Sequence, residues 1–150
     1  LFNSSVVVSD YAAEVDFYKT VLGFELLVQQ HDTFKESRPN VFAMPLNLVN
    51  NTPHQLTMLA PPGVGFGGVE ICHFPQLQGN DFSQRAQPPN IGIVTLRFPV
   101  KGIEALKARL VSCNVSIMAD TEQPLGGYGN VRLISARTPN NNWIEFFEYQ

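Results

Sequence analysis

The chain has 150 residues, 44% of them hydrophobic and 15% charged, with a formal net charge of −3 at pH 7. That length suits one domain with a real core, and the composition excludes a disordered chain. The absence of any Lys/Arg run argues against nucleic acid or an anionic membrane as partner, and no apolar run is long enough to span a membrane. The two cysteines, Cys72 and Cys113, stand far from metal-finger spacing. Reduced thiols in a cytoplasmic setting are therefore expected. No signal-peptide pattern follows Leu1, so upstream residues are expected to have been removed or left out. Three glycosylation sequons, at Asn3, Asn50 and Asn114, read as coincidence in an Asn-rich chain.

Val6–Val8 is β-branched and predicts a strand. Ser9 and Asp10 supply oxygens for the orphan N–H groups of a helix start. Val15, Tyr18, Val21 and Leu22 then recur at helical spacing, and Gly23 can end the helix at positive φ. Phe24–Gln30 predicts a second strand and His31–Asn40 a loop. Val41–Val49 reads as a strand interrupted by Pro45, and Gln55–Ala60 as a better one. Gly63–Gly68 lacks the strand before and helix after that a dinucleotide-binding phosphate loop needs. Val69–Phe74 alternates with period 2. The polar, Gly/Pro/Gln-rich stretch at 76–90 is the expected linker.

The pattern then returns. Ile93–Val100 predicts a strand and Ile103–Val111 a helix with Ile103, Leu106 and Leu110 on one face. Asn114 stands where Gly23 stood, suited to the same left-handed position. Val115–Met118, Val131–Ala136 and Trp143–Tyr149 predict three more strands. Each half reads βαβββ, module one at about 1–75 and module two at about 91–150, within a single domain over 1–150. Two such copies can cover each other's apolar faces.

FYKTVLGFELL, GIEALKARL with NVSI, and TPNNNWIEFFE resemble the vicinal oxygen chelate superfamily, the glyoxalase, bleomycin-resistance and extradiol-dioxygenase group, over essentially the whole chain. The resemblance implies an α+β fold in which paired βαβββ modules form a curled mixed sheet around one cleft, and it implies a homodimer. It also implies metal ligands on the first and last strands of each module, His then Glu. The acids match Glu70 and Glu145. The histidine positions fall on Asn3 and Thr95, so both histidines are missing. The closing turn, Thr138–Asn142, departs as well from the Asp-Pro-Asp-Gly-Asn common in the family.

Without imidazole, tight binding of a transition metal is not expected. Glu70 and Glu145 with two neutral oxygens would at most hold Mg²⁺, Mn²⁺ or Ca²⁺, with Zn²⁺ the poorest fit, and no cofactor is the first expectation. A dioxygenase, which needs two His and one carboxylate on iron, is disfavoured. With the positions matched to the family's ligands taken as inward-facing, alternation places Asn3, Ser5, Val7, Glu70, Cys72, Thr95, Arg97, Trp143, Glu145 and Phe147 on the cleft side. Val6, Val8, Ile71, Leu96, Phe98, Ile144 and Phe146 then face the helices. Asn3, Ser5, Thr95, Arg97, Trp143 and Phe147 are the ligand-binding candidates. Arg97 either neutralises the two acids as an internal ion pair or binds an anionic ligand group. Cys72 reads as apolar filler rather than nucleophile, and His31, His54 and His73 as loop or surface residues. The functional expectation is a small-molecule-binding protein, metal-free or weakly metal-binding. The alternative is a glyoxalase-type lyase, isomerase or epimerase acting on a small carbonyl compound, with Glu70 or Glu145 as catalytic base.

Overall fold

A computed structural model describes residues 3–149 apart from 37, 38, 41, 43, 66 and 93, and for Asn3 the backbone only. The elements run β1 (Asn3–Val7), α1 (Tyr11–Asp16, continued as a π-helical turn over Phe17–Val21), β2 (Glu25–Thr33), α2 (Leu46–Val49), β3 (Pro53–Ala60) and β4 (Gly68–His73). The second half repeats them as β5 (Thr95–Pro99), α3 (Ile103–Ser112), β6 (Ile117–Leu125), β7 (Gly129–Arg137) and β8 (Trp143–Tyr149). Between β4 and β5 no described residue lies in a helix or strand. The chain forms two compact units, Leu1–Val15 with Gly23–Asn80, and Asp16–Leu22 with Asp81–Gln150.

Each unit holds one four-stranded mixed sheet, in the orders β1-β4-β3-β2 and β5-β8-β7-β6. In both, the first strand pairs parallel with the last, and the remaining pairs are antiparallel. A strand entering parallel to its partner needs a crossover, which the helix provides. The repeat reaches fine detail. A bulge falls at Leu26/Val28 in β2 and at Ile117/Ala119 in β6, and the preceding helix ends in a left-handed residue each time, Gly23 at φ 76° and Asn114 at φ 58°.

Local chemistry explains the elements. Asp10 Oδ1 accepts the Ala13 N–H at 3.0 Å, the expected cap of α1. The π-helical turn, closed by Leu22 N–H to the Phe17 carbonyl at 3.0 Å, alters the helical register. Phe17, Tyr18 and Leu22 are therefore buried while Val15 and Val21 are only half-buried. The N-terminus of α3 is capped from outside the helix: the Glu148 carboxylate accepts the Gly102 and Ile103 N–H groups. Ile103, Leu106 and Leu110 are buried as expected, and each stabilises the unit by roughly 1.5–3 kcal/mol. Gly68 is required for space, because a Cβ there would collide with the Leu59 carbonyl of the neighbouring strand.

Further expectations change. The strand expected over Val41–Val49 is a short helix at Leu46–Val49. Pro45, at φ −55° and ψ 136°, serves as its N-cap rather than as a strand break; Val41 and Ala43 lie outside the described residues, as does Ile93. His54 is not a loop or surface residue: β3 begins at Pro53, and His54 is 7% exposed.

Candidate ligand-binding site

Period-2 alternation gives each sheet two faces, and pairing shows which residues share one. In the first unit Ser5 stands opposite Glu70 and Val7 opposite Cys72. On β3, Leu56 pairs with Cys72 and Met58 with Glu70. The other face carries Val6, Ile71 and Thr57, and α1 packs there. The Tyr11 hydroxyl bonds that of Thr57, and its ring stacks on His73 at 6.2 Å and meets His31 edge-on at 5.9 Å. The face away from the helix therefore carries the candidate polar residues, as alternation predicted.

Ser5 Oγ donates to Glu70 Oε1 at 3.0 Å, and the Cys72 thiol approaches the same oxygen at 3.6 Å. Glu70 is half-buried and Ser5 exposed. Burial, reinforced by the Glu70 carboxylate, pushes the Cys72 thiol up to about 12. A thiol held so high forms almost no thiolate near neutral pH, which suits filler and not a nucleophile. Asn3 pairs through its backbone with Gly68.

In the second unit Thr95 stands opposite Trp143 and Arg97 opposite Glu145. Arg97 donates from Nε at 2.7 Å and from Nη2 at 2.6 Å, both to Glu145 Oε2. The other carboxylate oxygen, Oε1, accepts Ser135 Oγ and Trp143 Nε1, each at 3.3 Å. An ionised carboxylate has about four acceptor positions, and four donors meet this one. Glu145 is 7% exposed, so burial without those partners would be costly. The Arg137 guanidinium covers the Trp143 ring at 4.6 Å and donates to the Asn141 carbonyl at 2.7 Å and to Gln87 at 2.7 Å. Trp143 is thus clamped edge and face. Thr95 turns its hydroxyl to the Leu96 carbonyl at 3.3 Å.

Further along the same face, Phe147 is buried with Val131 and Leu133 and packs edge-on against Tyr128 at 4.9 Å. The arrangement is an ion pair beside an apolar floor. Of the residues in contact with Glu145, Ser135 was missed by the sequence reading. Its position opposite Glu145 depends on the β7–β8 register, which no motif announces.

A family model for the glyoxalase, bleomycin resistance protein and dioxygenase superfamily matches residues 3–146. The chain belongs to that superfamily. No functionally curated protein matches it by sequence. Among solved structures, a glyoxalase family protein from Bacillus cereus is similar at a TM-score of 0.78 and 17% identity, covering 99% of this chain and 93% of that one. A glyoxalase family protein from Enterococcus faecalis reaches 0.63 at 20% identity, over 99% and 96%. An antibiotic-binding protein from a Streptomyces species reaches 0.62 at 21% identity, over 100% and 95%. At these identities the likeness concerns the fold. The βαβββ repeat expected from sequence is thus the architecture of this superfamily, and no helix of the described residues is long and apolar enough to cross a membrane.

Proposed function

We propose that this superfamily member binds a small molecule without a metal. The saturation of Glu145 carries the reading. At a position where the superfamily resemblance implies a metal-ligating acid, all four acceptor positions meet donors, and one donor is a guanidinium 2.6 Å away. A divalent ion would have to displace that cation and lie beside it, and Thr95 spends its hydroxyl on a backbone carbonyl. The donors around Glu145 suit an arginine better than a metal. The binding role draws further support from the fold shared with the Streptomyces antibiotic-binding protein, and the resemblance leads us to propose a homodimer.

The same saturation disfavours Glu145 as a proton acceptor, since a base needs a free lone pair aimed at its substrate. Glu70 keeps the lyase or isomerase reading in play. It is half-buried, and Ser5 and Cys72 bring neutral donors to its Oε1. The experiment combines metal analysis of the purified protein with its melting temperature in EDTA and in Mg²⁺, Mn²⁺, Ca²⁺ and Zn²⁺. A thermal-shift titration with bleomycin follows as the first ligand trial. Substoichiometric metal and no shift with EDTA or ions are expected. Stoichiometric metal, or a rise of several degrees with one ion, would overturn the metal-free reading.

A further inference from the structure

A second site lies on the first sheet, on the same face as Glu70 and Cys72 but toward the far ends of β2 and β3. It involves none of the residues around Glu145. The β2–β3 register pairs Gln30 with Leu56 and Asp32 with His54, and the chain following β2 brings Phe34 and Phe42 over them. The result is a cavity of about 430 Å³, walled by Phe34, Phe42, His54 and Leu56 and edged by Asp32 and Lys35. That volume falls within the usual range for small-molecule sites.

His54 is the unusual wall. Its ring stacks on Phe34 at 4.3 Å and 22° and meets Phe42 edge-on at 5.3 Å, with Phe74 at 6.5 Å. Its Nδ1 is buried and has no hydrogen-bond partner among the described residues. A buried polar atom left unmatched carries a desolvation penalty, and such atoms call for an explanation. Orphaned acceptors are tolerated more readily than orphaned N–H groups, so the proton belongs on Nε2 and Nδ1 is a vacant acceptor.

We propose that this cavity binds a flat aromatic ligand bearing an O–H or N–H donor, which stacks on the Phe34–His54 wall and donates to His54 Nδ1. The rings supply the apolar stacking surface, and the single vacant acceptor supplies orientation. Because Nδ1 is buried, one of the rings around His54 must turn aside to admit the donor.

The test uses two fluorescent probes of nearly equal shape, 2-naphthol and 2-methoxynaphthalene, titrated into the full chain. The donor-bearing 2-naphthol should bind about tenfold or more tightly than its methyl ether, the worth of one well-made hydrogen bond to a buried acceptor. The substitution H54F keeps the ring and removes the acceptor. It should erase that preference without lowering the melting temperature, because an unsatisfied atom is removed with little change of shape. In the wild type, the ¹⁵N resonance of His54 Nδ1 should shift on adding 2-naphthol and not on adding the ether, a readout that does not depend on H54F folding. Equal affinity for the two probes, no binding of 2-naphthol up to its solubility, or an unmoved Nδ1 resonance would overturn the proposal. So would a preference that survives in H54F.

Discussion

Arg97→Met is the sharpest probe of the Arg97–Glu145 ion pair. Methionine retains most of the apolar stem and removes the guanidinium, so Glu145 loses the two donors on Oε2 and keeps Ser135 and Trp143 on Oε1. Breaking a fully buried ion pair costs about 3–5 kcal/mol, because the remaining charge is stranded. Here the carboxylate side chain is 10% exposed but the Arg97 side chain is 37% exposed. Solvent therefore screens part of the pair, and the expected loss is about 2–3 kcal/mol. For a chain of this size that is a fall in melting temperature of roughly 4–12 °C. Adding Glu145→Gln removes the stranded charge, so the double variant should recover to within about 1 kcal/mol of the wild type. Thermal or urea denaturation of all four proteins closes the double-mutant cycle. If Arg97→Met lies within about 0.5 kcal/mol of the wild type, or the two substitutions simply add, the pair is not holding Glu145 and the reasoning fails.

The thiols offer a second check. One equivalent, Cys113, should react with a disulfide reagent in the native protein and two after denaturation, because Cys113 is exposed and Cys72 buried. Rapid labelling of Cys72 in the folded chain would contradict its raised titration. The same group gives a pH dependence: its folded-state value of about 12 lies above the ordinary 9.0. The stability it contributes is present in full below about pH 9 and is lost as pH rises toward 12, by about 1.4 kcal/mol per unit at most. Cys72→Ala should flatten the decline between pH 9 and 11 relative to the wild type; parallel curves would count against it. Gly68→Ala should destabilise by about 1–3 kcal/mol through its clash with the Leu59 carbonyl, measurable as a lower urea midpoint with an unchanged slope. A neutral substitution there would mean the two strands have room that the geometry denies them.

Much of the architecture was legible because it depends on local rules. Helix stops must be residues that tolerate positive φ, hence Gly23 and Asn114. A helix face must be apolar every three or four residues, hence Ile103, Leu106 and Leu110. Strand alternation alone separated Arg97, Glu145 and Phe147 from Leu96, Ile144 and Phe146, and the pairing of β5 with β8 preserved that division. The sequence reading slipped where the backbone departed from the regular pattern. The apolar run through Leu46–Val49 suggested a strand, but those residues form a helix between β2 and β3. In α1 the apolar spacing suggested Val15 and Val21 as core, and the π-helical turn gave that place to Phe17.

The amino-acid sequence thus determined by itself that two βαβββ units form and that an arginine shares a sheet face with an acid. These are matters of spacing and residue type. Only tertiary structure decided that four donors would converge on Glu145, since Arg97, Ser135 and Trp143 come from three strands whose register is set by long-range pairing. The same holds for His54. Lying outside the positions matched to the family, it reads as a loop or surface residue, yet the rings of Phe34, Phe42 and Phe74 surround it and leave Nδ1 without a partner among the described residues.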